Sequence, residues 1–303
     1  MKAFPLQEHT HPATTLDSKS TLRLIQSTSN LFDASNGNSE QVLTTAVKPP
    51  LKWAGGKRWQ VPYIFPYWEP KKYRRLVEPF CGGLAVTLGL LPEQAWLNDI
   101  NPHLINFYNQ LKIGLVSKIK PQNNERYYYE ARSEFNELLS AGKSQTAKAA
   151  SLFYYLNRTG YNGLCRFNNS GLFNVPFGRY KRINYRDNFL EYVGVFQRWR
   201  FTNLSFRDLA LHEHDFVYAD PPYDVEFHHY SKGGFYWQDQ IATAEWLSKH
   251  PGPVILVNQA TPRIKELYQD FGFRLRELDA PRRISCNGDR SPAPEVLAVR
   301  NLP

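Results

Sequence analysis

From Pro49 onward, short apolar runs alternate with stretches of helical spacing. Arg75-Leu76-Val77-Glu78-Pro79-Phe80 reads as a strand, a glycine turn follows, and Leu84 to Leu91 reads as a helix. Ala95-Trp96-Leu97-Asn98 predicts a second strand that ends at Asp99, with a helix from His103 to Lys112. Residues 124 to 157 carry apolar positions such as Phe135, Leu138 and Leu139 at helix spacing. Residues 159 to 188 hold Gly160, Gly163, Gly171, Pro176 and Gly178 among Asn and Arg, so a loop-rich insert is expected there. The alternation then resumes. Phe216-Val217-Tyr218-Ala219 predicts a strand, Gln238 to Lys249 a helix, Pro253 to Val257 a strand and Ile264 to Asp270 a helix, with terminal strands near 273–278 and 296–300. Such alternation implies an α/β fold, a parallel sheet covered by helices on both faces. Ligands of these sheets sit beyond the carboxyl ends of the strands. Residues 1–48 are rich in Ser, Thr, Asn and Gln without a sustained period and predict a flexible arm.

Two stretches at predicted strand ends carry candidate chemistry. Glu78-Pro79-Phe80-Cys81-Gly82-Gly83 follows the first strand and opens a helix, where glycines let the backbone turn tightly and approach a ligand. Asp99 ends the next strand, where a carboxylate accepts hydrogen bonds from ribose hydroxyls; a solvated Asp capping the following helix is the alternative. Together they suggest a nucleoside-bearing cofactor. Upstream, Leu51-Lys52-Trp53-Ala54-Gly55-Gly56-Lys57 reads either as a flap over a ligand or as a phosphate-contacting loop, though its spacing is not that of a Walker motif. Asp220-Pro221-Pro222-Tyr223 directly follows the strand FVYA. The prolines fix the backbone and remove two donors, the carboxylate accepts hydrogen bonds, and the ring offers a flat face to a planar base. Asp220 and the Pro221 carbonyl would then hold an exocyclic amine with its lone pair toward an electrophilic methyl; a plain turn is the bland alternative.

Charge changes the picture next. Of the 303 residues, 37 are Lys or Arg and 28 Asp or Glu, a net charge of +9, and a surplus of that sign favours a polyanionic partner. Residues 151–207 hold nine Arg or Lys against Asp187 and Glu191, a local balance of +7 beside the loop-rich insert. The three cysteines (Cys81, Cys165, Cys286) show no CxxC spacing and the eight histidines no HExxH, so neither a disulfide framework nor a metal site is expected. His228 and His229 alternate too closely to share a helix face and read as polar lid residues rather than metal ligands. Apolar residues make up 42% of the chain, no run approaches the roughly 20 a membrane span needs, and the first residues lack the apolar block of a secretory signal. A soluble, cytoplasmic protein is expected.

The stretches LKWAGGK, LVEPFCGG, NDIN, YLNRTGYNGLCRFNNSGLFNVPFGRYK, DPPY and RRISCNGDR together resemble the Dam-type DNA adenine N6-methyltransferases, over residues 50 to 300. The long insert match is the most specific of these. The resemblance implies a Rossmann-like sheet, S-adenosyl-L-methionine as methyl donor, double-stranded DNA as partner, no metal, and a bacterial or phage-infected cell as the setting. It assigns residues 49–115 and 205–303 to a catalytic domain and 116–204 to DNA target recognition. It implies that Trp53, Lys57, Glu78, Phe80, Gly82 and Asp99 line the cofactor site and that Asp220 is shared between cofactor and target. Tyr223 would stack on an adenine rotated out of the duplex. Tyr161 and Asn162 would fill or flank the vacated space, Arg166 would read a guanine, and Leu164, Pro176 and Tyr180 would touch neighbouring bases. Arg282 and Arg283 would hold backbone phosphates, and GATC is the leading target. One position departs: the family pattern FxGxG reads Phe80-Cys81-Gly82-Gly83-Leu84, with Leu84 in place of its second glycine. Two rival classes stay open on the residues alone: an amine methyltransferase acting on cytosine N4, RNA or protein glutamine, and a non-catalytic DNA-binding protein on the same fold.

Overall fold

The computed structural model describes residues 47–70, 72–224, 234–281 and 293–303. The strands are β1 (Arg75–Glu78), β2 (Ala95–Asn98), β3 (Trp199–Thr202), β4 (Asp215–Ala219), β5 (Val254–Gln259), β6 (Arg274–Ala280) and β7 (Ala293–Arg300). They form one sheet in the order β3-β2-β1-β4-β5-β7-β6. The pairs among β1 to β5 are parallel, whereas β7 runs antiparallel to both β5 and β6. This is a Rossmann-like sheet. The chain leaves β1 for β2 on one side and later returns to β4 on the other, so the crevice between the carboxyl ends of β1 and β4 is a topological switch point.

Alternation along each central strand builds two cores. Leu76, Leu97, Phe216, Tyr218, Ile255 and Val257 face one cluster; Val77, Trp96, Val217, Ala219, Val254 and Leu256 face the other. Side chains of neighbouring residues on a strand point to opposite faces, and burial on both faces explains the near-continuous apolar runs. The helices are α1 (Val61–Ile64), α2 (Thr87–Leu90), α3 (Pro102–Lys112), α4 (Glu125–Ser140), α5 (Ala147–Thr159), α6 (Leu190–Phe196), α7 (Trp237–Ser248) and α8 (Pro262–Asp270). The starts of four of them are written in the sequence. Asn101, Asn124, Thr146 and Thr261 each accept backbone N–H bonds as N-caps, and Pro102 and Pro262 follow at the first helical position. Among the described residues, no helix is long and apolar enough to cross a membrane.

The structure corrects the expected elements in four places. Residues 124–157 form two helices, α4 and α5, because Gly142 at φ +69° turns the chain between them. The strand β3 was not anticipated. It is a four-residue edge strand in which Trp199 and Arg200 alternate between inside and outside. The sheet is mixed, not all-parallel, since β7 inserts between β5 and β6 and runs antiparallel to both. The helix expected from Leu84 to Leu91 shrinks to α2, because Leu84 sits at φ +60°. The arm at residues 1–46, His228, His229, Cys286, Arg282 and Arg283 lie outside the described residues.

Candidate active site

The loop after β1 is a tight turn held from three sides. The Cys81 N–H donates to the Asn98 carbonyl (2.8 Å), Leu84 N–H to the Cys81 carbonyl (2.9 Å), and the Tyr108 hydroxyl to the Gly82 carbonyl (2.6 Å). Trp53 packs directly on this loop. A Cβ at Gly82 would lie 2.7 Å from the indole Nε1 and one at Gly83 2.7 Å from the Trp53 Cβ, so both glycines are needed for the contact. Leu84 carries the left-handed backbone that the missing glycine would have adopted easily. Its side chain is fully buried in the core and is not among those lining the adjacent cleft. Leu84→Gly relieves about 1–2 kcal/mol of backbone strain but removes a buried side chain worth about 2–5 kcal/mol. A net destabilisation of about 1–3 kcal/mol is expected in a denaturation curve, with cofactor affinity by calorimetry unchanged.

The cleft itself has a volume of about 330 Å³ and lies at the switch point. Trp53, Lys57, Glu78, Phe80, Gly82 and Asp99, the residues expected to hold a cofactor, all line it. So do Asp220, Pro221, Pro222 and Tyr223 from the end of β4. The sequence reading missed Ile100, which also lines the cleft and is 72% exposed; a large apolar side chain left open beside Asp99 is the signal that could have found it.

Each carboxylate here is tuned by its surroundings. Asp99 accepts from the Gly82 N–H (3.1 Å) and the Asn101 N–H (2.9 Å), while burial raises its pKa. It does not cap α3, a role taken by Asn101. Glu78 accepts from the Thr87 hydroxyl, and burial pushes its carboxyl up to about 8, so it is largely protonated at neutral pH. Asp220 is pushed up to about 7 by burial; the Lys57 charge pulls it down and the Glu295 charge pushes it further up.

Lys57 Nζ stands 2.8 Å from a Glu295 oxygen and 3.9 Å from Asp220 Oδ1. It also lies 4.3 Å from the centre of the Tyr223 ring, so one face of that ring is covered by an ammonium. The Tyr223 hydroxyl is buried beside the Asp220 and Glu295 carboxylates but reaches no partner within full hydrogen-bond geometry. The backbone around the motif is pinned: Gln240 Nε2 donates to the Pro222 carbonyl (2.7 Å), and the Asp224 N–H donates to Asn258 Oδ1 (3.3 Å). Arg263 pairs with the Asp224 carboxylate. Among the described residues, no group of three or more His, Cys, Asp or Glu side chains is placed to hold a metal ion.

The insert residues gather on a second surface. Tyr161 N–H donates to the Pro176 carbonyl (2.8 Å), a bridge links Gly160 to Phe177, and the Tyr180 hydroxyl donates to the Gly160 carbonyl (3.0 Å). Tyr161, Asn162, Leu164, Pro176 and Tyr180 therefore share one loop cluster. Asn162 adopts φ +51°, a conformation that Asn tolerates better than most residues. Arg166 sits on a separate turn closed by the bridge between Phe167 and Phe173. Its side chain is exposed and its Nε donates to Asn174 Oδ1 (2.9 Å), which steadies the guanidinium while leaving further donors of the fork. The basic surplus of this stretch is smaller in space than along the chain. Arg179, Arg186, Arg198 and Arg207 pair with Glu125, Glu191, Glu93 and Asp239.

The two surfaces are joined by a residue the sequence reading did not single out. Asn157 at the end of α5 accepts from the Lys52 N–H (2.9 Å) and donates to the Lys52 carbonyl (2.7 Å) and the Gly163 carbonyl (3.3 Å). Lys52 Nζ donates to the Arg158 carbonyl (3.1 Å) and lies 3.5 Å from the Tyr180 ring centre; burial and the nearby Arg158 charge lower its pKa to about 8.

A Rossmann-like sheet thus brings an acidic strand end, a glycine turn and the DPPY motif around one cleft. The model of the D12 class N6 adenine-specific DNA methyltransferases matches residues 53–284, and the chain belongs to that family. It is 39% identical over 271 residues to a DNA adenine methylase of Vibrio cholerae, covering 82% of this chain and 94% of the relative. It is 36% identical to a DNA adenine methylase of Escherichia coli strain K12, over 82% of this chain and 94% of the relative. A type II methyltransferase of Lactococcus lactis subsp. cremoris is 33% identical over 81% of this chain and 91% of its own length. The protein is an adenine-specific DNA methyltransferase.

Proposed function

We propose that this enzyme transfers the methyl group of S-adenosyl-L-methionine to the N6 amine of an adenine in double-stranded DNA, within GATC. The observation that carries this reading is the single cleft shared by two sets of residues. Trp53, Glu78, Phe80, Gly82 and Asp99 line it beside the end of β1, and Asp220 to Tyr223 line it from the end of β4. The donor set suits a nucleoside-bearing cofactor: Asp99 for ribose hydroxyls, Ile100 and Phe80 as apolar surface for a base, and a glycine turn that admits close approach. When bound, that cofactor supplies an electrophilic methyl on a sulfonium.

The protein's own work is then positioning. Asp220 accepts one N6–H and the Pro221 carbonyl the other, so the nitrogen lone pair faces the methyl. Once N6 has taken the methyl that the cofactor would supply, the proton it gives up would pass to the Asp220 carboxylate already accepting its hydrogen bond, and from there to solvent. Asp220 must be ionised to accept. With its carboxyl pushed up to about 7, kcat/KM rises as pH increases through that region. Tyr223 offers its uncovered face to the extruded base, since the amine cannot be reached inside the stack. The loop cluster of Tyr161, Asn162, Leu164, Pro176 and Tyr180 fills or flanks the gap, with residues 116–204 as the target-recognition region and 49–115 plus 205–303 as the catalytic one. Arg282 and Arg283 are assigned to phosphate contacts on the family pattern alone. We read the enzyme's place as the cytoplasm of a bacterial or phage-infected cell, supported by the bacterial sources of its relatives.

The test is methylation of a random-sequence duplex library with S-adenosyl-L-methionine, followed by single-molecule mapping of modified adenines. Modification confined to GATC supports the reading; a different consensus, or labelled RNA beside unlabelled DNA, refutes it. Arg166→Ala in the same assay should relax preference at one guanine, a loss of about 1–3 kcal/mol of discrimination, with the salt dependence of binding little changed. An unchanged consensus would remove Arg166 from the base readers.

A further inference from the structure

Glu295 comes from β7, far from either motif, yet it lies against the centre of the site. It is 7% exposed, and a buried carboxylate needs a compensating partner. One of its oxygens takes Lys57 Nζ (2.8 Å) and the other takes Gln60 Nε2 (2.8 Å). The Tyr218 hydroxyl donates to Gln60 Oε1 (2.8 Å), which fixes the amide so that its NH₂ faces Glu295. Gln60 is fully buried and Tyr218 nearly so. The result is a relay of four side chains from three parts of the chain with a single ammonium at its end.

That ammonium has two carboxylates to choose from. It makes contact with Glu295 and stands off from Asp220 at 3.9 Å. We propose that Glu295 is a positioning residue: it holds the Lys57 ammonium off Asp220, so that the Asp220 oxygens stay open to the substrate amine while the positive charge remains near enough to favour the carboxylate. Without this competitor, Lys57 closes on Asp220 and occupies the acceptor that the amine needs. Gln60 and Tyr218 act through Glu295 by fixing its second oxygen. The proposal rests on Asp220 as the amine acceptor.

Asp220 is faced by charged and titratable groups from every side: Lys57 ahead of α1, Glu78 at the end of β1, Tyr218 on β4, Tyr223 next to it, Tyr268 on α8 and Glu295 on β7. Of the carboxylates, Glu295 shares the lysine. Its negative charge raises the Asp220 pKa, so neutralising it lowers that pKa and moves the acid limb of the rate profile to lower pH.

Glu295→Gln is the test, because glutamine keeps the shape and offers one acceptor for which Gln60 and Lys57 must compete. The readouts are kcat and kcat/KM from pH 5 to 9 on duplex DNA, the KM for DNA, and the melting temperature. The acid limb should fall by about half to one pH unit and the plateau kcat by about tenfold, with the KM for DNA little changed. An acid limb at the wild-type position overturns the proposal, whatever happens to the plateau. Should Glu295→Gln fail to fold, Tyr218→Phe decides: a smaller shift in the same direction supports the relay, and a wild-type limb overturns it. Asp220→Ala run in parallel separates the two readings. If that variant still turns over, the amine-acceptor role of Asp220 has failed; if it is dead while Glu295→Gln keeps the wild-type limb, only the role of Glu295 has failed.

Discussion

Asp220→Ala is expected to lower kcat by at least about a thousandfold while leaving non-specific affinity for duplex DNA nearly intact. The carboxylate sits at the end of β4 with 21% of its side-chain surface open to the cleft, so its removal takes away the proposed amine acceptor and opens little of the core. The Lys57 ammonium keeps Glu295 at 2.8 Å, so the variant retains a paired charge and should fold. Single-turnover methylation and a filter-binding assay at two salt concentrations check the two halves separately. Substantial residual turnover would refute the assigned role.

Lys57→Met has the opposite balance: a large cost to stability and a shift in pH dependence. The ammonium is 5% exposed and is shared by two carboxylates. Removing one partner of a buried ion pair costs about 3–5 kcal/mol, because the remaining charges are left uncompensated. The sign of the pH effect follows from linkage. Without the lysine, the folded-state pKa of Asp220 rises further, so the native state binds more protons than the unfolded chain at neutral pH. The penalty is therefore greatest above that raised value and fades as pH falls and the Asp220 carboxyl is protonated. The acid limb of activity moves to higher pH, the reverse of the shift expected for Glu295→Gln. Chemical denaturation at pH 6 and pH 8, with a rate profile over the same range, measures both; equal stability loss at the two pH values would rule out the charge argument.

The contiguous parts of the site were legible in the sequence. DPPY, the glycine turn and Asp99 each lie at a predicted strand end, and an α/β sheet brings its strand ends to one edge. Three-dimensional partners were not. Glu295 is 238 residues from Lys57, and no local pattern ties the two. A signal existed in Glu295, the single charged residue of the run EVLAV, since a buried charge in such a strand demands a partner. Asn157 was hidden for a different reason: it lies inside an apolar helix, where an amide reads as an ordinary polar interruption. The β3 strand has only two buried residues, Trp199 and Phe201, with Arg200 between them, too short for a period to stand out. The short α2 helix depended on one backbone angle at Leu84, which the apolar spacing of the following residues masked.

The Asn157 amide has a mechanical consequence. One side chain grips the Lys52 peptide from both sides and the Gly163 carbonyl as well. The turn that carries Tyr161 and Asn162 is thereby stitched to the segment that leads into Trp53 and Lys57. A displacement of the Tyr161 turn pulls through this stitch on the segment that lines the cleft, and the two cannot move independently without breaking these hydrogen bonds.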